Sequence, residues 1–305
     1  MFESLPDRVS VYEVSPRDGL QNETAIVPTT KKKRLIDALA ASGLTRIEMT
    51  SFVSPRWVPQ LADADELCAL VDLTERGITY SALCPNEKGI ERAKRSGLRE
   101  VGVFVSASET HNKKNVNKTI DDTLAAFVPV CEGARAAGIA VRGYVSCLWG
   151  CPYEGTIDPR NGLVIARRLF ELGCYQVSLG DTIGVGTPKQ TRDIVRLFLA
   201  ELRPEQIALH LHDTRGTALA NVIVGLDCGV RDFDASVGGL GGCPYAPGAA
   251  GNLATEDLVY TLHGMGMKTG IDLERLWEAG KVAESIVGRS LPGKVHQAGV
   301  RSLRS

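Results

Sequence analysis

Eight short runs of apolar, largely β-branched residues recur along the chain, each followed by a longer segment with helical spacing, and nothing else in the sequence constrains the fold as much. The runs lie at about Val9–Ser15, Thr45–Thr50, Ile78–Cys84, Glu100–Ser106, Ala140–Cys147, Tyr175–Gly180, Gln206–His212 and Asp232–Val237. Helical patterns such as Lys31–Ser42, Asp121–Ala137 and Pro159–Leu172 lie between them and are closed by Gly43, Gly138 and Gly173. Glycine suits the left-handed residue after a helix end. A strand–helix unit repeated eight times in about 250 residues predicts an α/β fold, a closed (β/α)8 TIM barrel, rather than an open doubly wound sheet, which has fewer strands. No Pro/Gly/Ser linker or low-complexity stretch interrupts the alternation. The expectation is a single domain over residues 1–305, with the barrel at about 8–268 and a C-terminal helical addition at about 269–305 that includes Leu273–Val287.

Bulk properties narrow the function classes. With 305 residues, 44% of them hydrophobic, the chain can bury a large core. Its 35 basic and 36 acidic residues leave a net charge of -1, no field to hold a long polyanion, so nucleic acid is not an expected partner. No apolar run is long enough to span a bilayer, Glu3 and Asp7 precede any apolar stretch, and the terminal Ser-Leu-Arg-Ser is no targeting address. A soluble, cytoplasmic protein with no membrane partner is expected. The eight cysteines are scattered with no Cys-x-x-Cys pair, which argues for reduced thiols rather than a disulfide framework or a zinc knuckle.

A barrel of this kind carries its chemistry at the C-terminal ends of its strands. Arg17 and Asp18 fall after the first run, Glu48 late in the second, Asp181 after the sixth, His210 and His212 at the end of the seventh, and Gly238–Asn252 after the eighth. The two histidines are two residues apart in Ile-Ala-Leu-His-Leu-His-Asp, so strand alternation puts both imidazoles on one face and Leu209 and Leu211 on the other. Hydrogen-bonded core histidines are the alternative, but two on one face at a functional strand end favour a divalent-cation site. Such a site needs a carboxylate and further oxygen donors, and Asp18 and Asn252 are suitable, although Asp18 before Gly19 also suits a plain turn. This donor set fits Mg²⁺ or Mn²⁺ better than structural zinc. Arg17, beside the cation, is placed to meet a developing enolate oxygen; a surface salt bridge is its alternative. Glu48 would be buried in the lumen and needs a partner, Arg17 or a metal-bound water.

The segment Gly238-Gly239-Leu240-Gly241-Gly242-Cys243-Pro244-Tyr245 has proline where a dinucleotide fingerprint needs glycine, so it reads as a mobile flap, with Gly239, Gly241 and Gly242 free of φ restriction. Cys243 on that flap is either a functional thiol or a small residue in a tight turn. The strand ends offer Ser, Cys, Asp, Glu and His but no lysine for a Schiff base, so the electron sink should be a metal. Lys113 and Lys114 are candidates for ligand phosphates, or a solvated pair.

Four segments resemble, in order, the signatures of the hydroxymethylglutaryl-CoA lyase family: Ser15-Pro16-Arg17-Asp18-Gly19-Leu20-Gln21-Asn22-Glu23, Leu179-Gly180-Asp181-Thr182-Ile183-Gly184, His210-Leu211-His212-Asp213-Thr214 and Gly239-Leu240-Gly241-Gly242-Cys243-Pro244-Tyr245-Ala246. The resemblance implies a metal-dependent barrel lyase that cleaves 3-hydroxy-3-methylglutaryl-CoA to acetyl-CoA and acetoacetate, a step of leucine degradation and ketone-body formation, with citramalyl-CoA or a longer branched 3-hydroxyglutaryl-CoA as the alternative substrate. It implies Asp18, His210, His212 and Asn252 as ligands to Mg²⁺ or Mn²⁺, and Arg17, Glu48, Asp181, His210 and Cys243 as catalytic. Arg17 and Gln21 would bind substrate, and the protein would be a homodimer. Related synthases run the reverse, condensing reaction but carry a long region after the barrel. Two departures stand out: Gly238 where many members have alanine, and Arg215 where some have tyrosine.

Overall fold

The structure is a computed structural model that describes residues 5–242 and 250–300. Its strands are β1 (Ser10–Glu13), β2 (Arg46–Ser51), β3 (Thr79–Leu83), β4 (Glu100–Ser106), β5 (Ala140–Ser146), β6 (Gln176–Asp181), β7 (Ile207–Leu211) and β8 (Asp232–Ala235). They form a closed ring in sequence order, every pairing parallel, with β8 returning to β1 in the register Ser10↔Asp232 to Glu13↔Ala235. A helix follows each strand, so the expected (β/α)8 barrel is what the chain forms. Among the described residues no helix is long and apolar enough to cross a membrane.

Strand alternation explains where the core sits. Outward residues such as Val141, Val145, Leu209, Leu211 and Phe233 are buried against the helices. Helix Ala218–Asp227 approaches so closely that a Cβ on Gly225 would stand 2.6 Å from the Leu209 Cδ1. The lumen, in contrast, holds a polar stack. Arg46 contacts Glu100 at 3.2 Å, Arg142 contacts Asp234 at 2.6 Å and lies 4.2 Å from the Tyr12 ring centre, and Arg17 contacts Glu48 at 2.5 Å. Each of these lumen charges has an opposite neighbour, without which its desolvation would be costly.

Several strands end earlier than their apolar runs. β1 stops at Glu13 because Ser15–Gly19 winds into a π-helical turn in which the N–H groups of Arg17, Asp18 and Gly19 all point at the Val14 carbonyl. β5 stops at Ser146 because Cys147 takes φ 61°, outside the strand region. β7 stops at Leu211, and His212 instead pairs antiparallel with Asn252.

Helix Leu273–Val287 begins at Asp272, whose carboxylate accepts the N–H groups of Glu274 and Arg275, and it packs along helix Thr29–Ala41. The chain then returns to the barrel rim. There the Gly293 N–H donates to the Gly238 carbonyl at 2.9 Å, and Leu291 fills the space beside Gly238.

Candidate active site

The π-helical turn after β1 aims two consecutive side chains into the barrel mouth, and such turns recur at functional sites. Arg17 Nε donates to Glu48 Oε2 at 2.5 Å and Nη1 to Asp18 Oδ1 at 2.5 Å. Glu48 is wholly buried, and the Tyr144 hydroxyl donates to its other oxygen at 3.0 Å. Burial works to strip Arg17 of its proton, but Glu48 and then Asp18 outweigh it, so the guanidinium stays charged. Its sequence-predicted partner Glu48 is therefore in place. Burial pushes the Glu48 carboxyl up, with Arg17 opposing.

Asp18 faces the histidines. One ligand atom from each of Asp18, His210 and His212 lies within 4.8 Å of the others, and His210 Nε2 is 3.9 Å from Asp18 Oδ2. Burial would raise the Asp18 carboxyl, but Arg17, His210, His212 and the Asn252 amide together hold it at about 2, so it is a carboxylate at neutral pH. The His212 imidazole is pushed down to about 3, chiefly by burial and then by His210, so it is neutral and its lone pair is available. Its Nδ1 is buried without a hydrogen-bond partner among the described residues. A buried imidazole nitrogen left unpaired beside a carboxylate and a second imidazole fits a divalent cation, since two imidazoles and one carboxylate are a facial ligand set that leaves positions open.

Asn252 Nδ2 donates to Asp18 Oδ2 at 2.8 Å and to the Leu240 carbonyl at 3.2 Å, and Gln21 Nε2 donates to Asp18 Oδ1 at 2.8 Å. Both sequence-predicted amides therefore gather on Asp18. Asp181 stands apart from this cluster: its two oxygens accept the N–H groups of Val185 and Gly186, at 3.0 and 2.8 Å, and so shape its own loop. Arg215 donates to the Ile183 and Gly184 carbonyls of the same loop.

Of the glycine loop read as a flap, the structure describes the root, which is packed. Gly238, Gly239 and Gly241 are buried, and Gly238 takes φ 64° with Leu291 so near that a Cβ would meet its Cδ1 at 2.4 Å. Left-handed backbone at Gly238, Gly239 and Gly241, with φ of 64°, 71° and 107°, and close packing together account for glycine at the root of the loop. Gly242 is exposed, and Cys243 lies outside the described residues. Lys113 pairs with Glu109 at 3.4 Å, and Lys114 lies 4.9 Å from the Tyr153 ring centre.

Sequence reasoning missed the lumen residues behind the site: Tyr144 under Arg17 and Glu48, Arg142, and Asp234, whose Oδ2 is 3.3 Å from His210 Nδ1. The alternation in Asp232-Phe233-Asp234 was a usable signal, since it puts both carboxylates on the lumen side.

Fold and site together define a barrel enzyme with a candidate divalent-cation centre at its C-terminal rim. The HMGL-like family matches residues 8–283, and the chain belongs to that family. It is 52% identical to a mitochondrial hydroxymethylglutaryl-CoA lyase of Rattus norvegicus, over 97% of this chain and 90% of that protein. It is 50% identical to a 3-hydroxy-3-isohexenylglutaryl-CoA/hydroxymethylglutaryl-CoA lyase of Pseudomonas aeruginosa, over 94% of this chain and 95% of that one. Among solved structures, an HMG-CoA lyase of Acinetobacter baumannii in complex with coenzyme A and 3-methylmalate superposes with a TM-score of 0.93 at 40% identity, covering 98% of this chain and 97% of that one.

Proposed function

We propose that this protein is a carbon–carbon lyase that cleaves 3-hydroxy-3-methylglutaryl-CoA to acetyl-CoA and acetoacetate with Mg²⁺ or Mn²⁺ bound at Asp18, His210, His212 and Asn252. The observation that carries the reading is the buried Arg17 fork, which spans Glu48 and Asp18 immediately beside the two imidazoles. When bound, the cation supplies Lewis-acid polarisation of the substrate's hydroxyl and carboxylate oxygens.

The reaction is a retro-Claisen cleavage. The tertiary hydroxyl loses its proton, its electron pair forms the new ketone, the C2–C3 bond breaks, and the bonding pair moves to the thioester as an enolate that is then protonated at carbon. Arg17 holds a fixed positive charge for that enolate oxygen, because Glu48 and Asp18 fix its fork before substrate arrives. Glu48 and Tyr144 keep the guanidinium from turning away, and Gln21 helps to seat the substrate beside Asp18. His210 and Asp18 are assigned beside the hydroxyl oxygen, whose proton leaves through water or Asp181. Asp181 supports catalysis by holding the loop through Gly186, and Cys243 is assigned to the enolate's protonation.

The same reading takes residues 1–305 as one lyase domain, active as a homodimer in the cytoplasm, in leucine degradation and ketone-body formation. The seven described cysteines are all free thiols. The Pseudomonas relative's name makes a longer branched 3-hydroxyglutaryl-CoA the second substrate to try.

The test measures acetyl-CoA release from 3-hydroxy-3-methylglutaryl-CoA with EDTA and with added Mg²⁺ or Mn²⁺, for the parent and for Arg17→Met. Metal-dependent release in the parent and a loss on the order of a hundredfold or more in the variant are expected. Folded, metal-loaded parent that turns over only the longer homologue would replace the substrate, and turnover indifferent to EDTA would overturn the metal reading.

A further inference from the structure

The two histidines of the cluster are not held alike. His212 Nδ1 has no hydrogen-bond partner among the described residues, whereas His210 Nδ1 faces the Asp234 carboxylate at 3.3 Å. The barrel register produces that contact: His210 of β7 pairs with Asp234 of β8, and side chains opposite one another in a parallel ladder project to the same face, here the lumen. Asp234 is itself immobilised. Arg142 grips both of its oxygens, Nη2 to Oδ1 at 2.6 Å and Nη1 to Oδ2 at 3.2 Å, and the Ser178 hydroxyl donates to Oδ2 at 2.7 Å. Arg142 is locked in turn by its Nε donating to Gln176 Oε1 at 2.9 Å. Arg142 and Asp234 are both buried, so this array does not rearrange with solvent.

We propose that Asp234 is a positioning residue for the cation site: it keeps the His210 proton on Nδ1 and so presents the Nε2 lone pair to Asp18 and the metal. The inference rests on the metal reading given above. An acceptor-only carboxylate can face a ring nitrogen favourably only when that nitrogen bears the proton, so the neutral ring is committed to the tautomer with Nε2 bare. Nε2 is the atom 3.9 Å from Asp18 Oδ2, on the cluster side. A carboxylate behind a ligating imidazole both fixes the ring plane and raises the basicity of the ligating nitrogen. Were Asp234 only the counter-ion of Arg142, the two-oxygen grip would satisfy it, and neither the third donor from Ser178 nor the register with His210 would be needed.

The experiment compares the parent with Asp234→Asn and with the charge-neutral pair Arg142→Met/Asp234→Asn, which serves if the single variant does not fold because a buried guanidinium is left unpaired. Two quantities are read on folded protein: the dissociation constant for Mn²⁺ alone, by calorimetry, and the imidazole nitrogen shifts of His210 in metal-free protein. The parent should carry the His210 proton on Nδ1. The variants should mix tautomers and bind Mn²⁺ about 10–100-fold more weakly. An unchanged tautomer with parental Mn²⁺ affinity in either folded variant would overturn the proposal and leave Asp234 as a structural counter-ion. A parent that fails to bind Mn²⁺ would instead refute the metal reading, and the nitrogen shifts would still decide whether Asp234 sets the His210 tautomer.

Discussion

Glu13, at the end of β1, is fully buried, and its carboxylate ties three parts of the rim together. Oε1 accepts the N–H groups of Ser15 at 3.0 Å and Val237 at 2.9 Å, and Oε2 accepts the Thr255 hydroxyl at 2.6 Å. Burial pushes this carboxyl up from 4.5 to about 7, against the pull of those hydrogen bonds. The folded protein therefore keeps a proton that the unfolded chain releases near 4.5. Stability from this group is fully present below that pH, falls as pH rises, and is gone above about 7. At about 1.36 kcal/mol per pH unit, the gap between 4.5 and about 7 amounts to at most about 3 kcal/mol. Glu13→Gln keeps the shape: the amide oxygen can accept both N–H groups and its NH₂ can donate to Thr255, with nothing to titrate. Urea denaturation of parent and variant from pH 4.5 to 8 isolates the term, because every other titrating group is common to both. The parent's stability relative to the variant should decline by up to about 3 kcal/mol between pH 4.5 and 7 and then level off. Parallel profiles would show that the hydrogen bonds keep Glu13 ionised throughout and would refute the reasoning.

Other expectations follow from the same geometry. Saturating Mn²⁺ should raise the parent's stability by about 2.7 kcal/mol at a hundredfold excess over its Kd. His212→Ala, which removes the unpaired Nδ1, should abolish most of that rise in a thermal melt while leaving metal-free stability within about 1 kcal/mol of the parent. Gly162→Ala, in helix Pro159–Glu171, would bring a Cβ to 2.0 Å from the Leu148 Cδ2 and should cost about 1–3 kcal/mol despite alanine's better helix propensity. Gly133→Ala, in helix Ile120–Ala136, meets nothing nearer than 3.5 Å and should gain about 0.5–1 kcal/mol. Equal effects at the two glycines, read from chemical denaturation, would show that close packing at Gly162 is not what selects glycine there.

Much of this protein is legible in local pattern. The alternation of apolar runs with helical segments determines eight strands and their order, because parallel strands joined by helical crossovers have few ways to bury both faces. Period-two spacing puts His210 and His212 on the same side, and the strand-end rule places Arg17, Asp18 and Glu48 near them. The three-dimensional arrangement decided the rest. Local patterning does not disclose the π-helical turn that aims Arg17 and Asp18 together, since it arises from three N–H groups competing for the Val14 carbonyl. Nor does it disclose the buried root of the glycine loop, where Leu291, some fifty residues downstream, occupies the space a Cβ would need. Asp234 and Arg142 are 92 residues apart, and His210 meets Asp234 only because ring closure puts β7 and β8 in register. Strand period is a property of neighbouring residues and can be read along the chain, whereas the partner of a buried charge is chosen by a barrel that must close before any lumen exists.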